Sequence, residues 1–129
     1  MGLCNNTILL RDLKELSIVC KVLASRDLRT VIVEDVRLPP GWNRTHTRMR
    51  IQIPEDYPLS PPGVSSSPIF LETGLRYHGQ VPRDYHKNCT VAEEGWAWLC
   101  YESIDWAPNR DNLISLLERV RADLTNPRL

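Results

Sequence analysis

The stretch that most constrains this chain is Pro54-Glu55-Asp56-Tyr57-Pro58-Leu59-Ser60-Pro61-Pro62-Gly63. Four prolines fix φ at four of its ten positions and remove four backbone donors. The segment therefore reads as a stiff turn whose backbone is largely set before folding and against which the Tyr57 ring packs. Whatever precedes it must end there, and whatever follows must start afresh.

What precedes it is a helix and then strands. Leu9, Leu10, Leu13 and Leu16 recur at helical spacing, with Asn5, Asn6 or Thr7 as caps and Arg11, Lys14 and Glu15 on the solvated side. Ser17 to Leu23 is rich in β-branched residues and is expected to begin the first strand. After a turn at Ser25-Arg26-Asp27, Val31, Val33 and Val36 are set against Thr30, Ile32, Glu34 and Arg37, and Pro39-Pro40-Gly41 breaks the run. From Thr45 to Ile53, Met49, Ile51 and Ile53 alternate with Arg48, Arg50 and Gln52. That is a half-buried antiparallel strand with a basic, solvated outer face. Beyond the prolines, Val64 to Leu71 reads as a fourth strand, followed by an irregular stretch to Glu94. A last helix over Asn112 to Leu124 carries Leu113, Leu116, Leu117, Val120 and Leu124 on one stripe, capped by Asp111 or Asn109 and stopped by Asn126-Pro127.

A chain of 129 residues is expected to form one domain, 1–129, with a core that needs no metal or disulfide. Lys plus Arg and Asp plus Glu are 16 each, so there is no bulk field to attract nucleic acid or an anionic membrane. No apolar run approaches the roughly 20 residues of a span, and Met-Gly-Leu-Cys is not the start of a signal peptide. A Met-Gly start raises N-myristoylation, but Asn6 stands where Ser or Thr is usual. A cytoplasmic protein is expected. In that compartment the four cysteines, with no C-x-x-C pair, read as neither a zinc site nor a disulfide framework. Cys20 reads as a small core residue, Cys4 as a bystander and Cys89 as a second-choice nucleophile.

Cys100 is different. In Gly95-Trp96-Ala97-Trp98-Leu99-Cys100-Tyr101-Glu102-Ser103-Ile104-Asp105-Trp106-Ala107-Pro108 it lies among three tryptophans and just before a Trp-x-Pro. It reads as a nucleophile that carries an acyl group, with Trp96, Trp98 and Trp106 either walling it or packing the core.

Ile51 to Pro62, Ile-x-Ile-Pro-x-x-Tyr-Pro-x-x-Pro-Pro after a strand, resembles the signature of ubiquitin-conjugating (E2) enzymes. Gly95, Cys100, Trp106-Ala107-Pro108, the following helix and Asn126-Pro127 repeat the order of their second half. From Leu9 to Pro127 the chain is most similar to the small bacterial E2-like proteins of prokaryotic family E. The resemblance implies an α+β, UBC-like fold: an antiparallel four-stranded meander with a short N-terminal helix and a main C-terminal helix, without the later helices of ordinary family members. It implies Cys100 as the thioester nucleophile, an active-site scaffold of Tyr57, Pro58, Pro61, Pro62, Trp106 and Pro108, and contact with the activating enzyme through Arg11 and Lys14. The implied partners are a ThiF-type, E1-like activating enzyme that uses ATP, a ubiquitin-like protein and a protein target. In bacterial members these genes share an operon with a metal-dependent deconjugating peptidase, often for antiviral defence. No cofactor or metal is implied for the chain itself.

Two departures shape the expected chemistry. The family's His-Pro-Asn triplet, whose Asn serves the oxyanion, is not at its usual distance, and His86-Lys87-Asn88 offers the residue types further away. The segment between Pro62 and Cys100 is also longer than usual. Thioester exchange is close to isoenergetic, so Cys100 needs no histidine partner, although its thiolate is a minor form near neutrality. Transfer to an amine needs an oxyanion donor, Asn88 or backbone amides with His86 as a further candidate, and a group to take the amine proton, Asp105 or Glu102. Asp105 could equally cap the turn into the helix. An alternative is a catalytically inactive E2-like or RWD-like module that scaffolds a ubiquitin-like or E1-like partner. A third is a cysteine hydrolase pairing Cys100 with His78 or His86.

Overall fold

A computed structural model describes residues 6–63, 67–83, 85–86, 94–99 and 105–127. Helix α1 (Asn6–Val19) leads into an antiparallel sheet of β1 (Val22–Ala24), β2 (Thr30–Arg37), β3 (His46–Gln52), β4 (Ile69–Glu72), β5 (Tyr85–His86) and β6 (Trp96–Leu99), and α2 (Leu113–Thr125) follows. The strand order is β1-β2-β3-β4-β6-β5. The first four strands form the expected meander. The expected count of four is corrected to six, because the Trp96–Leu99 stretch, whose tryptophans read as a wall or as core packing, is a strand that pairs along β4, with Trp96 opposite Glu72 and Leu99 opposite Ile69. Two residues of β5 close that edge, Tyr85 opposite Leu99 and His86 opposite Trp98.

The spacing of Val31, Val33 and Val36 is not a clean alternation, and the ladder shows how it is accommodated. The register between β2 and β3 shifts between Val33 and Val36, so one bulge returns all three valines to the same face, each fully buried. They meet Met49, Ile51, Ile69, Leu71, Ala97 and Leu99 in one core cluster. The five predicted residues of α2 and Leu9 and Leu16 of α1 belong to that cluster, so both helices cover the same sheet face. Removing even one large aliphatic side chain from such a core costs about 2–5 kcal/mol.

Helix α1 departs from expectation in two ways. It continues to Val19 rather than yielding to a strand at Ser17. The Ser17 hydroxyl donates to the Lys14 carbonyl at 2.7 Å, and Ile18 and Val19 stay exposed, so no sheet contact competes with the helix. Propensity differences of a few tenths of a kcal/mol per residue are too small to end a helix by themselves. Leu10, expected on the apolar stripe, is 53% exposed, whereas Asp12 on that stripe is 1% exposed. Helix α2 begins with a capping box from Asn112, not from Asp111 or Asn109: the Asn112 side chain accepts from the Ser115 amide, and the Ser115 hydroxyl accepts from the Asn112 amide.

The outer sheet face is not a free basic surface. The Arg48 guanidinium lies 5.0 Å from the Trp96 ring centre, and that of Arg50 lies 5.8 Å from Phe70 and 6.0 Å from Trp96. Arg48 also pairs with Glu72 and Arg50 with Glu94. Phe70 and Trp96 are thereby buried outside the main core, under stacked cations. Among the described residues no helix is long and apolar enough to cross a membrane.

Candidate functional site

The proline-rich stretch folds into consecutive tight turns. The Tyr57 amide donates to the Pro54 carbonyl at 3.1 Å and the Leu59 amide to the Asp56 carbonyl at 2.8 Å, while the Ser60 hydroxyl donates to the Asp56 carboxylate at 2.7 Å. Arg29, from the turn before β2, donates to the Pro54 carbonyl and ties the start of the stretch to the sheet. With the backbone so held, the Tyr57 ring points inward and is completely buried. Pro62 is buried, and Pro58 and Pro61 are half-buried.

Trp106 comes to this turn from the other half of the chain. Its indole N–H donates to the Pro58 carbonyl at 2.7 Å, and its ring lies 6.0 Å from that of Tyr57 at 55°. Tyr57, Pro58 and Trp106, 48 residues apart at the hydrogen bond, are thus brought together as one unit. The Tyr57 hydroxyl in turn donates to the buried Asp12 carboxylate at 2.5 Å. The other Asp12 oxygen accepts from Arg11 at 3.2–3.3 Å. Asp12 is the residue that sequence reasoning missed. Its signal was available, since a carboxylate three residues after Leu9 and four before Leu16 interrupts an apolar face and needs a buried partner.

The Trp-x-Pro passes into α2 through a built turn. The amides of Arg110 and Asp111 both donate to the Ala107 carbonyl, and the Asp111 carboxylate accepts from the Ala107 amide at 2.7 Å. That backbone hydrogen bond, with help from the Arg110 side chain, holds the Asp111 carboxyl below its ordinary value of 3.8. The turn is therefore capped by Asp111 and not by Asp105. Asp105 is exposed and has no hydrogen-bond or ion-pair partner among the described residues. Pro108 is exposed within the turn.

Cys100 lies outside the described residues, as do Asn88, Cys89 and Glu102. The structure describes the two sides of the Cys100 segment: Leu99 at the end of β6, and Asp105 followed by Trp106. His86 is placed in β5 opposite Trp98. His78 belongs to another region. Its amide donates to the Gly41 carbonyl, and its ring meets Tyr77 edge-on at 4.3 Å. That turn sits beyond the Glu72–Trp96 end of the paired β4 and β6, whereas Leu99 is at the opposite, Ile69 end. Trp42, packed on Tyr77, donates to the Leu124 carbonyl, which sets this cluster at the C-terminal end of α2, while Trp106 precedes its N-terminal end. Of the three tryptophans expected around Cys100, Trp96 and Trp98 alternate with Ala97 and Leu99, which belong to the core cluster, and Trp106 holds the proline turn. Arg11 and Lys14 are exposed on α1, as expected.

Comparison of the chain with family models, curated proteins and solved structures finds no match.

Proposed function

We propose that this chain is an E2-like conjugating enzyme with a UBC-like fold, which accepts a ubiquitin-like protein as a thioester on Cys100 and passes it to an amine. The observation that carries this reading is the contact of Tyr57 and Pro58 with Trp106. Those residues come from the two separate motifs on which the resemblance rests, and Trp106 follows Cys100 by six positions in the sequence. The four-stranded meander leading into that site, with both helices on one face, is compatible with the same fold.

In the proposed reaction the Cys100 thiolate attacks the carbonyl carbon of a thioester on a ThiF-type activating enzyme. A new C–S bond forms, the old one breaks, and the activating enzyme's sulfur leaves as thiolate. An amine of the target, normally a lysine, then attacks the same carbonyl carbon. The C–N bond forms, Cys100 leaves as thiolate, and the amine's proton goes to a nearby base. The exposed carboxylate of Asp105, one residue from Trp106, is the group proposed to take it. ATP is consumed by the partner and not by this chain. A cytoplasmic bacterial conjugation system, with a deconjugating peptidase and a role in antiviral defence, is the setting that goes with this reading.

The test combines the purified protein with a cognate activating enzyme, ATP and the ubiquitin-like protein on a non-reducing gel. An adduct that thiol reductant dissolves, present in Cys89→Ala and absent in Cys100→Ala, is the expected result. No adduct with a matched partner set, or one that survives Cys100→Ala, would favour a scaffolding module.

A further inference from the structure

We infer that Asp12 is a positioning residue that, through Tyr57, fixes where Trp106 sits at the edge of the proposed transfer site. The link stands on geometry alone, and its consequence for transfer rests on the proposed function. A carboxylate that is 1% exposed, on a helix face otherwise filled by Leu9 and Leu16, is expensive to bury. An apolar side chain there would continue the stripe and pack against the same core. What a carboxylate supplies, and a leucine cannot, is direction. It accepts the Tyr57 hydroxyl at 2.5 Å in one orientation, and so sets the ring that faces Trp106 at 6.0 Å. The carbonyl of Pro58, the residue next to Tyr57, accepts the indole N–H. The Arg11 guanidinium, 61% exposed, occupies the second carboxylate oxygen and leaves the first to the phenol. Helix α1 is thereby wired through two buried side chains to the residue that follows Asp105.

The experiment uses the full chain labelled with 5-fluorotryptophan, whose four tryptophans give four fluorine resonances, that of Trp106 being identified with Trp106→Phe. Asp12→Leu and Tyr57→Phe are expected to shift the Trp106 signal and leave that of Trp42, anchored at the far end of α2, in place. Asp12→Asn, whose amide oxygen still accepts from the phenol, is expected to keep the Trp106 signal near its wild-type position; it also serves if Asp12→Leu fails to fold. In single-turnover assays of the pre-loaded protein, Asp12→Leu and Tyr57→Phe discharge to amine on the order of tenfold more slowly, while Asp12→Asn stays near the wild-type rate. The Asp12→Leu/Tyr57→Phe double variant, with both polar partners removed, regains stability but not discharge rate, a split that a purely structural role would not produce. A Trp106 signal unmoved in a folded Asp12→Leu protein, or all four signals moving together, would overturn the link. A wild type that forms no thioester would overturn the transfer reading, while the fluorine result still decides the link.

Discussion

Tyr57→Phe removes one oxygen from the centre of this structure, and its effect on stability can be worked out in advance. Both ends of the lost hydrogen bond are buried: Tyr57 is 0% exposed and Asp12 is 1% exposed. A hydrogen bond to a charged group contributes about 1.5–3 kcal/mol, and a buried acceptor left without its donor retains its desolvation penalty. Arg11 holds only the other carboxylate oxygen and stands mostly in solvent, so it cannot take over. The buried ring itself remains, so the transfer free energy of its carbon atoms is not lost. The expected loss is therefore roughly 2–3 kcal/mol, at the upper end for a single hydrogen bond. With an unfolding entropy of about 2.1 cal/mol/K per residue over 129 residues, this lowers Tm by roughly 7–11 °C. Urea unfolding followed by tryptophan fluorescence should show a lower midpoint with an unchanged m-value. The double variant Asp12→Leu/Tyr57→Phe should recover most of the loss, because replacing both partners by apolar groups removes the unpaired carboxylate. A Tyr57→Phe protein within about 0.5 kcal/mol of wild type, the range of an ordinary surface substitution, would refute the reasoning.

Other consequences follow from individual contacts. Asn112→Ala opens the capping box of α2 and should cost about 1 kcal/mol, measured by the same unfolding assay, whereas Asn109→Ala should be close to neutral. The Asp111 carboxyl is held below 3.8 by the Ala107 amide. Its stabilising effect is thus complete above that value and is lost as pH falls through the lower folded value. Stability measured against pH should show the gap between wild type and Asp111→Asn closing in acid, and a gap independent of pH would contradict the assignment. A Cβ on Gly41, at φ +106°, would lie 2.7 Å from a Tyr77 ring carbon, while one on Gly79, at φ +79°, meets nothing within 4 Å. Both substitutions strain the backbone, so in urea unfolding Gly41→Ala should lose more stability than Gly79→Ala by the clash alone, about 1–3 kcal/mol.

Much of the fold could be read from residue order because its strongest patterns are one-sided. Leu113, Leu116, Leu117, Val120 and Leu124 bury one face of α2, and Met49 and Ile51 bury one face of β3. The three-residue step from Val33 to Val36 looks like a fault in alternation and is a bulge. Where burial is two-sided, periodicity fails. Trp96, Ala97, Trp98 and Leu99 form a strand with the main core on one face and stacked arginines over Trp96 on the other, so no polar residue marks its period. The N-cap of α2 was misjudged because three neighbouring residues could each cap it. Asp111 turns back to Ala107, which leaves the role to Asn112. At the candidate site, Tyr57, Pro58 and Trp106 were legible as motif residues, and their contact with one another is what the structure adds. Asp12 was legible only as a carboxylate on the apolar face of α1 that needs a buried partner; nothing in the order of residues points to Tyr57, 45 positions away.

The central claim is that Cys100 carries the C-terminal acyl group of a ubiquitin-like protein. Its most direct test is mass spectrometry of the loaded wild-type protein, digested without reductant at mildly acidic pH to preserve thioesters. The account predicts the modifier's C-terminal residues on the peptide that contains Cys100, released by hydroxylamine or thiol. Modification found on Cys89, or only as reductant-stable amides on lysine in a protein whose Cys100→Ala variant is modified equally, would contradict it.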